Sequence, residues 1–179
     1  MNKILLIITG SIAASRCKEI IALLNINKVK ISCILTKEAK KYVKISDIKK
    51  LLKNRIFTDE DEKKNKMLHI NLSRDNDIIV MCPATANSIA KFANGYGDNL
   101  ASNTLLASNK KILFVPAMNS FMWHNKINQK NVKLLKESGH EFIGPKVGQL
   151  KCGEFGLGRI DNSKNIVNRI LNRLENVNL

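Results

Sequence analysis

Apolar runs alternate with amphipathic stretches along most of the chain. Runs of mostly apolar residues predict four buried strands, at 3–9, 29–36, 77–82 and 112–115, and a fifth strand is predicted at 139–143. Apolar residues at helical spacing predict helices over 12–24, 85–93, 99–107, 124–137 and 163–174. Strands that are apolar on both faces and separated by helices are typical of a parallel sheet covered on both sides. We therefore predict an α/β fold with three layers and a mostly parallel sheet.

The polar stretch 37–66 fits this alternation less well. It contains helical pieces and the charge run 59–64, Asp-Glu-Asp-Glu-Lys-Lys, which we predict to be a solvated surface loop. With 179 residues and 44% hydrophobic content, the chain is long enough for one well-buried domain and short for two, so 1–179 is treated as a single domain.

The apolar runs are too short for a membrane protein. None reaches the roughly 18 residues that span a bilayer. Thr9, Gly10 and Ser11 interrupt the first run early, which favours a strand over a signal peptide. The cysteines at 17, 33, 82 and 152 are scattered without a CxxC pair, which argues against a metal site or a disulfide framework. A reducing, cytoplasmic location is expected.

The net charge of +15 raises the question of nucleic-acid binding. The lysines are spread over the whole chain, and few aromatic residues lie among them to stack on bases. We therefore expect no specific nucleic-acid binding, although diffuse positive charge can attract an anionic small molecule or bind nucleic acid non-specifically.

Small and hydrogen-bonding residues follow the four predicted buried strands. They are Gly10 and Ser11, Thr36, the segment 85–88, and the segment 116–123. In parallel sheets, ligands bind beyond the carboxyl ends of the strands. One glycine and one serine without a GxGxxG pattern suit a single phosphate, as on FMN, better than a dinucleotide.

Two further segments carry candidate chemistry. In 116–123, Pro-Ala-Met-Asn-Ser-Phe-Met-Trp, the Asn119 amide lies among soft apolar side chains, which suits a pocket for a flat ring; the alternative is an ordinary strand end and helix. Four glycines in 148–160 predict a mobile loop that can close as a lid. Cys152 in that loop is either an acid or nucleophile or a thiol without a role. A lone histidine such as His69 is more often structural than catalytic.

In this order and spacing, six segments resemble the homo-oligomeric flavin-containing cysteine decarboxylases, in particular those acting on phosphopantothenoylcysteine. The segments are 10–14, 69–72, 83–87, 98–100, 116–123 and the Cys152 loop, within a resemblance that covers 3–160. The resemblance implies a Rossmann-like (flavodoxin-like) fold, FMN bound near a subunit interface, and assembly as a trimer or from trimers.

The resemblance also implies roles for individual residues. His69 matches an active-site histidine that acts as a base or as an electrostatic partner near the flavin. Asn119 matches the residue that holds the substrate carboxylate, with Met122 in the same motif, and Cys152 matches the thiol of a flap at about 146–160. Lys151 replaces the usual alanine; a cation there favours a thiolate and can reach a phosphate or carboxylate of the substrate. The implied FMN contacts are Gly10, Ser11, Ile12, Thr36, Thr85, Ala86, Asn87, Ser88 and Ala117.

The implied reaction is the decarboxylation of 4'-phosphopantothenoyl-L-cysteine to 4'-phosphopantetheine in coenzyme A biosynthesis. Oxidation of the substrate CH2–SH to a thioaldehyde creates an electron sink, so carbon dioxide can leave. Protonation by Cys152 and re-reduction then complete a reaction with no net redox change.

Other members of this group of proteins offer alternatives to that reaction. A peptidyl-cysteine decarboxylase of the lantibiotic type shares the asparagine motif, and a non-catalytic flavoprotein regulatory subunit also remains open. A flavin prenyltransferase shares the fold but is not expected to carry segment 116–123. Because no ligase region follows the flap, we expect a separate phosphopantothenate–cysteine ligase or a longer parent protein.

Overall fold

Within residues 2–52 and 56–177, which the computed structural model describes, six strands form one sheet in which every neighbouring pair is parallel. They are β1 Lys3–Ile8, β2 Lys30–Leu35, β3 Ile56–Phe57, β4 Ile78–Ala84, β5 Ile112–Pro116 and β6 Glu141–Phe142. Their spatial order, β3-β2-β1-β4-β5-β6, is that of the doubly wound Rossmann sheet. This confirms the predicted α/β class and the parallel sheet.

Helices cover both faces of the sheet. They are α1 Cys17–Ile26, α2 Ile45–Leu52, α3 Asp59–Lys64, α4 Leu68–Arg74, α5 Ala86–Ala93, α6 Leu100–Leu106, α7 Ser120–His124, α8 Lys126–Glu137 and α9 Ser163–Val177. Short 3₁₀ turns occupy Ile12–Arg16 and Glu38–Lys41.

Strand β1 shows why the apolar runs are continuous. Its residues alternate between the two faces, as side chains of a strand must. Ile4, Leu6 and Ile8 belong to one buried cluster, together with residues of α1, α2 and α9. Leu5 and Ile7 belong to the opposite cluster, with residues of α4, α5, α6 and α8. These two clusters bind the three predicted layers together.

The charge run 59–64 is a helix, so its prediction as a loop is wrong. It forms α3, whose first turn is acidic and whose last residues are Lys63 and Lys64, the arrangement that suits a helix dipole. Thr58 and Asp61 form a capping box, in which the Thr58 amide donates to Asp61 Oδ2 at 2.8 Å. No side chain of α3 is buried, so the helix does lie at the surface.

Two smaller differences concern strands. The short β3 falls in the predicted polar stretch 37–66, where a two-residue strand leaves no readable periodicity. The flap predicted at about 146–160 forms an antiparallel hairpin of β7 Lys146–Gln149 and β8 Phe155–Arg159. Residues 53–55 of the polar stretch, and residues 1, 178 and 179 of the predicted domain, lie outside the described residues. Across the part that is described, no helix is both long and apolar enough to cross a membrane.

His140 generates a prediction about stability. Its ring packs against Phe92 and Phe114, its Nδ1 accepts from the Ile112 amide at 3.2 Å, and burial lowers its pKa. Since the folded protein then binds fewer protons than the unfolded chain, stability should fall as the pH drops below about 6.5, the ordinary histidine pKa.

Thermal unfolding between pH 7 and pH 5.5 tests this. The loss of Tm on acidification should be smaller in His140→Asn than in the unaltered protein, whereas the exposed His124→Asn serves as control. Equal pH dependence in all three proteins would contradict the prediction.

Candidate active site

A cavity of about 990 Å³ opens at the carboxyl ends of β1, β2, β4 and β5. It lies where the strand order reverses between β1 and β4, the position at which doubly wound sheets bind ligands. Its volume is at the upper end of the roughly 300–1,000 Å³ of ligand pockets. The hairpin of β7 and β8 supplies one further wall, and residues of α5 and α6 supply another.

The structure brings most of the predicted site residues together around this cavity. The lining includes Gly10, Ser11, Ile12, Thr36, Thr85, Asn87, Ser88, Ala117, Asn119, Met122, Lys151 and Cys152. Ala86 and His69 are not in it. Parallel pairing of the strands accounts for the convergence, since residues distant in sequence follow neighbouring strand ends.

The turn after β1 requires its glycine. A Cβ on Gly10 would collide with the side chain of Glu38 and approach its backbone carbonyl carbon to 3.1 Å. The missing side chain therefore allows the β1 and β2 turns to lie against each other. Ser11 Oγ accepts from the Ala13 amide at 3.3 Å, and Thr36 Oγ1 accepts from the Ala39 amide at 3.3 Å. Both hydroxyls thus serve as local caps at the cavity wall.

The turn after β4 is built in a similar way. Thr85 caps α5 by accepting from the Ser88 amide at 3.2 Å, and its hydroxyl lies 2.9 Å from Ser88 Oγ. Thr9 Oγ1 donates to the Pro83 carbonyl at 2.6 Å, which ties the ends of β1 and β4 together. The two walls of the crevice are therefore joined directly at its floor.

Asn119 is the best-defined polar side chain of the site. As the N-cap of α7, its Oδ1 accepts from the amides of Phe121 at 2.8 Å and Met122 at 3.3 Å. Since only an oxygen can accept these bonds, the amide orientation is fixed and Nδ2 is left as the donor. Nδ2 donates to Glu154 Oε2 at 2.5 Å and lies 3.6 Å from Cys152 Sγ.

Two glycines hold the hairpin against the segment that carries Asn119. The Met118 amide donates to the Gly158 carbonyl at 3.0 Å, and a Cβ on Gly158 would overlap the Met118 carbonyl. A Cβ on Gly156 would lie 2.7 Å from Ser120 Oγ. These glycines permit close packing. Gly153, with a φ of +91° and nothing near its Cβ position, serves the turn instead.

His69 lies on α4, away from this lining. Its Nδ1 is 2.8 Å from Glu62 Oε1, and Glu62 in turn approaches the Asn103 amide group at 3.4 Å. His69 is at the amino-terminal end of α4, beside α3, and does not line the cavity, whereas Asn119 and Cys152 do. Within one chain, the fold thus separates His69 from Asn119 and Cys152.

The cavity also contains residues that the sequence did not single out. They include Arg16, Lys37, Asp59, Lys91, Met118 and Arg159. Asp59, from the misassigned charge run, accepts from the Leu100 amide at 3.0 Å and so fixes the start of α6. Arg159 directly follows Gly158, so its position in the predicted flap could have identified it as a residue of the cavity. Lys37 directly follows Thr36, a residue that the sequence did single out.

The side chains suit a flat ring that carries a phosphate. Hydroxyls of Ser11, Thr36 and Thr85 lie beside apolar surfaces from Ile12 and Ala117, and Gly10 leaves the turn open. By contrast, no group of three or more His, Cys, Asp or Glu positioned for a metal ion occurs in the described ranges.

A Rossmann-ordered sheet with a ring-sized, hydroxyl-lined cavity at its switch point defines a nucleotide-binding α/β protein. Comparison with known families makes this specific. The chain belongs to the flavoprotein family, whose sequence model matches residues 1–175.

Curated relatives agree with this assignment. The chain is 32% identical over 177 residues to a probable phosphopantothenoylcysteine decarboxylase of Streptococcus mutans, covering 97% of this chain and 99% of that protein. It is 32% identical to the coenzyme A biosynthesis bifunctional protein CoaBC of Bacillus subtilis, covering 93% of this chain but only 41% of that protein.

Solved structures share the whole fold. A PPC decarboxylase variant in complex with pantothenoylaminoethenethiol superposes with a TM-score of 0.88 at 29% identity, over 97% of this chain and 98% of that one. The FMN-binding protein AtHal3 gives 0.88 at 28% identity, over 98% and 97%. The peptidyl-cysteine decarboxylase EpiD gives 0.81 at 29% identity, over 96% and 99%. The predicted resemblance to flavin-containing cysteine decarboxylases is confirmed.

Gly10 provides a test of the cofactor wall. In Gly10→Ala the added methyl must displace the Glu38 turn, so flavin retention should fall by about tenfold or more, a cost of about 1.4 kcal/mol or more in binding. The flavin absorbance of the purified protein and titration with added FMN measure this.

Gly95→Ala is the matched control. Its φ of +72° makes the substitution strained, yet no atom lies within 4 Å of the new Cβ. It should lower Tm without altering flavin binding, and equal flavin loss in both variants would rule out a local effect at Gly10.

Proposed function

We propose that this chain is an FMN-dependent decarboxylase that converts 4'-phosphopantothenoyl-L-cysteine into 4'-phosphopantetheine in coenzyme A biosynthesis. One observation carries the proposal: the Asn119 amide nitrogen and the Cys152 thiol lie 3.6 Å apart at the wall of the cavity. A hydrogen-bond donor for the substrate carboxylate and a proton donor thus lie side by side. The match to the Streptococcus mutans relative over nearly its full length supports the same substrate.

The residues that would hold FMN are those at the strand ends. Gly10, Ser11 and Ile12 form one wall, Thr36 a second, and the segment 85–88 with Ala117 the others; Ala86 is outside the lining. Bound FMN would supply the acceptor for the hydride of the substrate CH2–SH and its later donor. The protein contributes position and proton control.

Asn119 would orient the substrate carboxylate. Its Nδ2 is a fixed donor because the α7 backbone occupies Oδ1, so the Asn119 amide itself does not turn when a carboxylate binds. Holding the carboxylate in one orientation aligns its breaking C–C bond with the neighbouring thiocarbonyl. Met122 also lines the cavity and would form part of the apolar wall for the substrate.

Cys152 would protonate the enethiolate that remains after carbon dioxide leaves. Its thiol is exposed, at the turn between β7 and β8, and it lies beside the group that held the carboxylate. The carbon that needs a proton is the one that lost carbon dioxide, so a donor near Asn119 is well placed. Lys151 lines the same cavity and would contact the phosphate or carboxylate of the substrate.

His69 would act in a site that another copy of the chain completes. It lies on α4 outside the lining of the cavity in its own chain, beside Glu62. If His69 belongs to the chemistry, α4 must lie at a subunit boundary next to a neighbouring cavity. An assembly as trimers meets this need, because each subunit then receives one histidine and gives one.

The ligase that precedes this step is expected on another chain or another domain. The chain spans about two-fifths of the bifunctional proteins of Bacillus subtilis and Borreliella burgdorferi, at 41% and 44%. Both relatives are named as bifunctional proteins of coenzyme A biosynthesis, so each carries two activities in one chain. We therefore propose a phosphopantothenate–cysteine ligase as the partner.

A peptidyl-cysteine decarboxylase is the second candidate, since EpiD shares the fold and 29% identity. Both reactions remove a carboxyl group beside a CH2–SH, and both could use Asn119. Cys152 on the flap favours the small phosphorylated substrate. Peptides ending in cysteine therefore belong in any activity assay.

The direct test is carbon dioxide release from 4'-phosphopantothenoylcysteine by the flavin-loaded protein, with formation of 4'-phosphopantetheine. Activity on a cysteine-terminated peptide alone would favour the second candidate. Inactivity on both would leave a non-catalytic flavoprotein.

Cys152→Ser separates binding from proton transfer. This variant should retain FMN and oxidise the substrate, but form 4'-phosphopantetheine at least about 100-fold more slowly, since general acid catalysis contributes on that scale. Mass spectrometry should detect a product that is two hydrogens short. Normal product formation would remove Cys152 from the mechanism.

Mixed oligomers test the shared site. His69→Asn and Cys152→Ser should each be inactive alone. If each cavity takes His69 from a neighbour, random mixing at equal amounts should restore about one quarter of full activity. Co-expression of the two variants with different affinity tags gives the mixed assembly. No recovery in verified mixed oligomers would place both groups in the same chain's site.

A further inference from the structure

Glu154 is hydrogen-bonded to Asn119 Nδ2, the donor that the substrate carboxylate would need. Its Oε2 accepts from Asn119 Nδ2 at 2.5 Å, and the same nitrogen lies 3.6 Å from Cys152 Sγ. The two hydrogens of Nδ2 are therefore directed at a carboxylate and a thiol. The proposed decarboxylation needs the same two kinds of group at this place, a carboxylate from the substrate and a proton donor from the protein.

Asn119 has no donor atom other than Nδ2. Its Oδ1 already accepts from two backbone amides of the α7 start, at 2.8 Å and 3.3 Å, so the amide cannot turn over without breaking the cap. One hydrogen of Nδ2 is directed at Cys152 Sγ, so a substrate carboxylate that takes the other hydrogen replaces Glu154. Two carboxylates at one neutral donor would also repel each other, which makes joint occupancy unfavourable.

The Glu154 side chain can move away from Asn119 without any movement of the hairpin backbone. The Leu150 amide donates to the Glu154 carbonyl at 2.8 Å, and Gln149 Nε2 donates to the Gly153 carbonyl at 2.9 Å. These bonds hold the backbone of the turn. Rotation about the side-chain bonds of Glu154 is therefore enough to release Nδ2 while Cys152 stays in place.

We infer that Glu154 is a positioning residue that competes with the substrate carboxylate for Asn119 Nδ2, and so lowers the affinity of the site for the acid that enters while leaving the affinity for the decarboxylated product unchanged. Loss of carbon dioxide removes the competing carboxylate, and Glu154 returns to Asn119. The inference rests on the proposed function, because it takes Asn119 as the carboxylate ligand.

The test compares ligands that differ only in that carboxylate. The probes are 4'-phosphopantothenoylserine and its decarboxylated ethanolamine analogue, in which a hydroxyl replaces the thiol, so neither is turned over through a thioaldehyde. Calorimetry with the flavin-loaded protein gives the Kd of each. Glu154→Ala should bind the serine compound about threefold to tenfold more tightly, since a charged hydrogen bond no longer competes.

The affinity of Glu154→Gln for the serine compound should lie between those of the unaltered protein and Glu154→Ala, because a neutral amide oxygen accepts a hydrogen bond more weakly than a carboxylate. Affinity for the ethanolamine analogue should not rise in either variant. Glu175→Gln, on the exposed surface of α9, matches the change in net charge and should leave both Kd values unaltered. With the natural substrate, kcat/KM should rise in Glu154→Ala while the inhibition constant of 4'-phosphopantetheine does not fall.

Two results overturn the inference. Weaker binding of both analogues in Glu154→Ala would mean that Glu154 only shapes the hairpin. Equal gains for both analogues would mean that it blocks the cavity without regard to the carboxylate. If the unaltered protein neither binds the serine compound nor decarboxylates the substrate, the proposed function fails instead.

Discussion

The pairing of β1 with β2 on one side and with β4 on the other determines where chemistry can occur in this molecule. Six residue pairs join β1 to β2 and four join β1 to β4, all parallel. Because the strands run the same way, their carboxyl ends share one edge. The chain leaves β1 towards the face of α1 and leaves β4 towards the opposite face of α5, so a crevice opens between them. The bond from Thr9 to the Pro83 carbonyl closes its floor.

At this edge, the side-chain amide of Asn119 contributes to the fold through its oxygen and to the site through its nitrogen. Its oxygen caps α7, and its nitrogen faces the hairpin. An aspartate would keep the cap, since it also accepts from backbone amides, but it would present an oxygen to the substrate carboxylate. A serine would keep the cap and offer no donor of that reach. The residue type is therefore fixed by the need to accept on one side and donate on the other.

The parts that the sequence predicts are those set by periodicity and by strand ends. Long apolar runs identify β1, β2, β4 and β5, and parallel pairing then forces the residues after them into one cavity. The charge run of α3 was misread because its helix has no apolar face, so only the capping box of Thr58 and Asp61 distinguishes it from a loop. The hairpin depends on contacts of its glycines with Met118 and Ser120, which are remote in sequence. The place of His69 depends on the packing of α4 beside α3, through Glu62, which the residues next to the histidine in the sequence do not reveal.

The hairpin matters for the order of events in the proposed reaction. A mobile loop would bring Cys152 to the cavity only part of the time, and each excursion would cost ordering entropy. The bond from Met118 to the Gly158 carbonyl joins the hairpin to the cavity wall. Antiparallel pairing of β7 with β8 and the bond from Leu150 to the Glu154 carbonyl order the turn itself, with Gly153 supplying its backbone conformation. Cys152 and Glu154 then flank that glycine and meet the same nitrogen of Asn119. In this conformation the thiol lies beside the amide that would hold the carboxylate, so the proposed proton donor and the proposed carboxylate ligand are already together. A hydrogen-bonded turn with one carboxylate that can rotate would thus let a single donor serve binding, decarboxylation and release in turn.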